Sequence, residues 1–208
     1  MKKILLLITI FISNSLTSQA QFLHILNLRY GAEFGVGFST INEVVSSSAT
    51  SQTSKAVAGK TGIRLGLIAE KALGDHFALQ TGLSYVQKGA TGASINYAEL
   101  PLSIVYFKGE GHGFFVSIGP YIGYAIGGSG VTIGKEADPT STNLGIKSTD
   151  YGAQFSFGTE FRSSWIIKGN VEFGIPDLNF KETTTKINNF SLMLTVGWLF
   201  GGESMYSL

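Results

Sequence analysis

From Leu26 to Phe38 every second residue is apolar: Leu26, Leu28, Tyr30, Ala32, Phe34, Val36 and Phe38 alternate with Asn27, Arg29, Gly31, Glu33, Gly35 and Gly37. A period of two is what an extended strand with two unlike faces requires. Seven further segments repeat it. Ile63, Leu65, Leu67 and Ala69 oppose Arg64, Gly66 and Glu70, with Ile68 on the polar side. Phe77, Leu79, Thr81, Leu83 and Tyr85 oppose Ala78, Gln80, Gly82, Ser84 and Lys88. Ala98, Leu100, Leu102, Ile104 and Tyr106 oppose Tyr97, Glu99, Pro101, Ser103 and Val105. Val116, Ile118, Pro120, Ile122, Tyr124 and Ile126 oppose Ser117, Gly119, Tyr121, Gly123 and Ala125. The sixth segment sets Tyr151, Ala153, Phe155, Phe157 and Phe161 against Gly152, Gln154, Ser156, Gly158 and Glu160. The seventh sets Trp165, Ile167, Val171, Phe173 and Ile175 against Lys168, Asn170, Glu172 and Gly174. The last runs Phe190, Leu192, Leu194, Val196, Trp198, Phe200 against Ser191, Met193, Thr195 and Gly197.

Segments of about ten residues suit tilted strands crossing a bilayer. Their connections alternate in length. Long ones follow the first, third, fifth and seventh segments (41–60, 89–96, 128–149, 176–188), and short ones follow the second, fourth and sixth (72–76, 108–113, 162–164). Together these predict an all-β fold, an eight-stranded antiparallel up-and-down transmembrane β-barrel, with long loops at one end and tight turns at the other. The polar stretch Ser46–Ser54 and the Gly/Ser/Thr-rich stretch 128–149 are expected to be mobile surface loops.

Charge placement sharpens the picture. Arg29, Glu33, Arg64, Glu70, Lys88, Glu99, Glu160, Lys168 and Glu172 all fall on the face opposite the apolar one. A basic side chain facing lipid at the bilayer midplane costs roughly 2–4 kcal/mol, so a membrane barrel must turn these nine inward. Lys71 lies on the apolar face, but beside a short turn, where it can reach headgroups. An eight-stranded barrel has room for its own side chains or one small ligand, so the expected lumen is plugged by mixed-charge pairs, with inward glycines making room for long side chains. Outward Tyr85, Tyr106, Tyr124, Tyr151, Trp165 and Trp198 fit interfacial aromatic girdles.

Composition agrees. The 208 residues are 44% hydrophobic but only 14% charged, against about 25% charged in ordinary soluble domains. A net charge of +1 offers nothing to nucleic acid, and the absence of cysteine removes disulfides, thiolate chemistry and lipidation of a leader. At the start, Lys2-Lys3, the apolar run Ile4–Ile12 and Ser18-Gln19-Ala20 form a secretory pattern. The expected organisation is a cleaved signal peptide over 1–20, an outer-membrane β-barrel domain over 21–200 and a short tail over 201–208.

Within this frame three phrases carry a family likeness. Leu79-Gln80-Thr81-Gly82-Leu83-Ser84-Tyr85-Val86-Gln87-Lys88-Gly89, Tyr97-Ala98-Glu99-Leu100-Pro101-Leu102 and Gly119-Pro120-Tyr121-Ile122-Gly123 resemble the third, fourth and fifth strands of the Bacteroidetes outer-membrane β-barrel domain family, which includes the PorT-like proteins. The resemblance implies a Gram-negative cell envelope and, in the PorT-like branch, a role in protein secretion or gliding. It also implies insertion by the barrel assembly machinery, which often reads a terminal aromatic; here Phe200 is followed by eight more residues.

The chemistry available is thin. His24, His76 and His112 fall after the leader and in short turns. With both termini in the periplasm, these are on the wrong side for modifying outer-leaflet lipid. Glu99 with Glu160 or Glu172 could do acid–base work, but basic neighbours share their face and favour ion pairs. Glu136 with Asp138 is a poor Ca²⁺ pair, and Gly127-Gly128-Ser129-Gly130 lacks the context of a phosphate loop. No catalytic, cofactor-binding or metal-ligating residue is assigned, and no cofactor is expected. The expected partners are outer-membrane lipid, the assembly machinery and an envelope or secretion protein met through the loops. The competing architecture is an exported lipocalin-like barrel binding a small ligand, whose apolar face would point inward. A lipid-modifying enzyme is the remaining alternative.

Overall fold

The computed structural model describes residues 28–48, 51–56, 58–109, 113–136, 143–179 and 185–201. Its strands are β1 (Leu28–Ser48), β2 (Ser51–Ala56), β3 (Lys60–Ala72), β4 (Phe77–Ala90), β5 (Ala93–Phe107), β6 (Gly113–Ser129), β7 (Val131–Ile133), β8 (Leu144–Ile146), β9 (Thr149–Glu160), β10 (Trp165–Gly174) and β11 (Thr185–Phe200). Eight of them pair antiparallel in the order β1-β3-β4-β5-β6-β9-β10-β11, and β11 pairs back onto β1 to close the barrel. The expected leader (1–20), His24, His112, Asp138 and the residues after Gly201 lie outside the described residues.

The ladders fix the strand tilt. One row of partners runs Leu28, Lys71, Leu79, Ile104, Ile118, Phe155, Val171, Leu192 and returns to β1 at Phe38. The circuit therefore climbs from position 28 to position 38 of the same strand, a stagger that tilts eight strands by roughly 40° from the barrel axis. Strand alternation holds throughout this wall. Phe34, Leu67, Leu83, Ile118, Leu194 and their neighbours face outward, while the charged residues between them are buried. This is the reverse of the lipocalin-like arrangement, which is thereby overturned.

Two prolines interrupt the hydrogen-bond ladder without breaking it, because each lacks an N–H to give. Around Pro101 the β4–β5 pairing lapses between Thr81↔Leu102 and Ser84↔Glu99, and the Thr81 hydroxyl donates to the Pro101 carbonyl at 2.7 Å. Around Pro120 the β5–β6 pairing lapses between Pro101↔Tyr121 and Ile104↔Ile118.

At the turn end, tight connections join β3–β4, β5–β6 and β9–β10. The loop end departs from the sequence expectation. The connection placed at 89–96 is a tight turn at Thr91-Gly92, with β4 and β5 paired up to Ala90↔Ala93. The stretch Ser46–Ser54, expected as a loop, belongs largely to a hairpin: β1 runs to Ser48 and pairs with β2. The 128–149 connection contains β7 and β8, a short parallel pair. The cause is a reversal of pattern. Towards this end the inward positions turn apolar (Val86, Ala90, Ile95, Ile41), so the alternation that marks the membrane zone no longer marks strands.

Candidate functional site: a salt-bridged lumen under an apolar cap

The nine inward charges of the sequence are all buried in the lumen, and Asp150, the second residue of β9, joins them. Room for these long side chains comes from glycines on the adjacent strands. Glu33 has Gly66 as its partner on β3 and Gly197 on β11. Arg64 faces Gly35, Lys168 faces Gly158, and both Glu99 and Asp150 face Gly123.

The charges form one continuous network. Near the turn end Arg29 bridges Glu70 at 3.0 Å and also pairs with Glu160. Gln80 donates to Glu70 at 3.0 Å and accepts from Lys168 at 3.4 Å. Lys168 then meets Glu33 at 2.7 Å, and Glu33 accepts from Arg64 at 2.9 Å. Arg64 reaches Glu172 at 2.6 Å and Glu99 at 3.3 Å. Lys88 completes the chain. Its ammonium pairs with Glu99, with Glu172 at 2.8 Å and with Asp150 at 3.7 Å, and it lies 4.3 Å from the Tyr121 ring centroid. Asn189 donates to both Asp150 (3.0 Å) and the Tyr97 hydroxyl (3.1 Å). The void left among Glu33, Arg64, Gln80, Ser103, Gln154 and Lys168 is about 10 Å³, the space of a single water.

Apolar clusters close both ends. At the turn end Ile68, Ala78, Val105, Phe107, Phe115, Ile166 and Leu199 pack together. At the loop end two clusters form the lid, one around Ile41, Ala90, Leu178 and Ile187 and the other around Ile95, Tyr97, Ala125 and Ile146. The lid is tied down by backbone. Lys147 N–H donates to Leu178 O at 2.8 Å, Ala125 N–H to Ser148 O at 2.7 Å, and Asp177 Oδ1 accepts from the N–H groups of Asn179 and Ile187. Sequence reasoning missed Asp150, Asn189 and this lid. Asp150 sits one residue beyond a presumed loop, and Ile146 and Leu178 lie in segments without alternation.

The outer surface is an apolar belt with an aromatic rim at the turn end. Trp165 and Trp198 are ladder partners with rings stacked 5.9 Å apart, and Phe200, Tyr30, Phe77 and Tyr106 continue the rim. Tyr124 and Tyr151 stand outward at the other end, while Tyr85 is half-buried. His76 is exposed in a turn at the turn end, its Nδ1 3.3 Å from the Gly109 carbonyl. Among the described residues no helix is long and apolar enough to cross a membrane, and no group of three His, Asp or Glu side chains is placed to hold a metal.

A closed eight-stranded barrel, charged within and apolar without, has one kind of home, and family comparison agrees: the model of the outer membrane protein beta-barrel domain matches residues 18–179. The chain belongs to this family. Among solved structures it is similar to Ail, the attachment invasion locus protein of Yersinia pestis, at 9% identity over 82% of this chain and 98% of that one, TM-score 0.40. It is also similar to OprG from Pseudomonas aeruginosa at 12% identity over 84% and 96%, TM-score 0.46. A third is Neisserial surface protein A, at 11% identity over 81% and 97%, TM-score 0.43. No curated protein matches the chain.

Proposed function

We propose that this outer-membrane barrel is non-catalytic and non-conducting, and that it serves the cell envelope through its loop end, as an accessory protein of the PorT-like kind linked to secretion or gliding, or as an adhesin. The observation that carries the reading is the filled lumen. A continuous ion-pair network spans the lumen, the void lined by Glu33, Arg64 and Lys168 holds only about 10 Å³, and an apolar lid lies at the loop end. What the barrel offers a partner is therefore its rim, above all the β1–β2 ribbon, which continues from Ser39, the last partner of β3, to Ser48.

In this reading residues 1–20 are removed on export, the barrel assembly machinery inserts residues 21–200, both termini face the periplasm and the ribbon faces outward. Purified barrel in planar bilayers should give no discrete conductance steps; steps of defined size would overturn the closed-lumen reading. Replacing residues 46–54 by a two-residue turn should leave the gel-mobility shift between boiled and unboiled samples intact while reducing secretion, gliding or adhesion. An unchanged secretome, motility and adhesion would sink the loop-end role.

A further inference from the structure

Among the described residues lies a sizeable external cleft that the lumen reading does not use. It encloses about 520 Å³ at the loop end and is lined by Lys147, Ser148, Thr149, Tyr151, Asp177 and their neighbours Gly134 and Pro176. That size is typical of small-molecule sites. Its position is lateral, on the outside of the wall where β9 begins and β10 ends. Tyr151 heads the outward row of β9 above Phe155 and Phe157, and Ile175, beside it, is strongly exposed and donates its N–H to the Tyr151 carbonyl at 2.9 Å. The floor of the cleft is thus continuous with the lipid-facing belt.

Its polar wall has a definite chemistry. Lys147 is exposed, and among the described residues it has no carboxylate partner. Its backbone is pinned between the two capping loops through Leu178, so its position is set by the fold. Asp177, the carboxylate of the cleft, has Oδ1 engaged by two backbone N–H groups, those of Asn179 and Ile187. Ser148 and Thr149 line the same cleft and add hydroxyl donors to it. A cation and hydroxyls above an apolar floor match a phosphate joined to acyl chains.

We propose that this cleft seats the phosphate-bearing headgroup of a membrane lipid in the leaflet at the loop end. The phosphate takes the Lys147 ammonium and the Ser148 and Thr149 hydroxyls, while the acyl chains lie over Tyr151 and Ile175. The inference rests on the barrel spanning a membrane, not on which end faces outward.

The test is native mass spectrometry of the full folded chain in detergent, titrated separately with dioleoylphosphatidylglycerol, dioleoylglycerol and glycerol phosphate. The expected result is one retained phosphatidylglycerol, with affinity reduced about tenfold by Lys147→Ala. Lys147→Arg should keep binding, and Lys135→Ala, a change of a neighbouring exposed lysine outside the cleft, should leave it unaltered. Equal binding by wild type and Lys147→Ala overturns the proposal. Equal retention of dioleoylglycerol would reduce the cleft to an apolar seat, and glycerol phosphate binding as tightly as the lipid would make it a free-anion site; either also overturns it. The boiled–unboiled mobility shift of each variant reports the barrel separately, so loss of the fold is not mistaken for loss of the site.

Discussion

Glu33 of β1 and Gly66 of β3 are direct partners across the barrel wall, and a Cβ on Gly66 would stand 3.2 Å from Glu33 Cγ and 2.5 Å from Ser84 Oγ. The glycine is the space that the glutamate occupies. Gly66→Ala should therefore destabilise the folded barrel by about 1–3 kcal/mol, the usual cost of overpacking. Gly127→Ala is the control, since its Cβ would meet only Asn96 Nδ2, at 3.7 Å, and its effect should stay within about 0.5 kcal/mol. Reversible urea unfolding into lipid vesicles measures both.

Lys88 anchors the network because three carboxylates, Glu99, Glu172 and Asp150, converge on one ammonium that solvent does not reach. Lys88→Met keeps the stem and removes the charge. It leaves three buried carboxylates short of their shared partner, which should cost about 3–5 kcal/mol. Combining it with Glu172→Gln removes one of those charges and should recover part of the loss. A double variant no more stable than Lys88→Met alone would show that the Lys88–Glu172 pair is not the coupling that matters. Equilibrium unfolding of the four species forms the cycle.

The membrane zone of this fold was legible in the sequence because two constraints act there at once. Lipid outside and ion pairs inside force opposite choices on successive residues, as in Phe34 and Glu33 or Leu194 and Thr195, and a period of two results. Above that zone both sides change character. Ile95 and Ile41 turn inward to build an apolar lid, so the tight turn at Thr91-Gly92 and the β1–β2 ribbon read as loops. Asp150 was missed for the same reason, lying where the lid and the ion pairs meet. The cleft beside Lys147 combines residues of β9 with two segments far apart in the chain, 134 and 176–177, a juxtaposition that no local pattern announces.

On the lipid face, Leu194 lies midway along β11 and is 58% exposed. Leu194→Arg should cost about 2–4 kcal/mol, the penalty of a cation near the bilayer midplane. Lys71, on the same face but at the end of β3 beside the turn, already sits where headgroups are within reach. Lys71→Leu should therefore change stability by less than about 1 kcal/mol. Equal costs for the two positions would mean that the belt is not centred where the apolar rows place it.

Ser164 closes the β9–β10 turn with φ of 65°, in the left-handed region. The turn needs that angle: Ser164 N–H donates to Phe161 O and Phe161 N–H to Trp165 O, both at 2.8 Å. A non-glycine residue there carries roughly 1–2 kcal/mol of steric cost, part of which a glycine returns as greater freedom of the unfolded chain. Ser164→Gly should thus raise stability by about 0.5–1 kcal/mol, and Ser164→Val should lower it, both read as shifts in the urea midpoint.

The chain has two tryptophans, and both stand in the turn-end rim: Trp165 and Trp198 are ladder partners whose rings lie 5.9 Å apart at an interplanar angle of 11°. Such a pair reports two things. Stacked indoles couple their transitions, so folding should produce an exciton couplet in circular dichroism that is absent from the unfolded chain. Trp165→Phe and Trp198→Phe should each abolish it while leaving the strand signal. Both rings also lie at one end of the apolar belt, where amphipathic aromatics settle at the headgroup level. In each single-tryptophan variant, lipids brominated near the headgroup should quench fluorescence more strongly than lipids brominated near the chain ends. Stronger quenching from the chain ends would place Trp165 and Trp198 at mid-bilayer and shift the whole belt towards the turns.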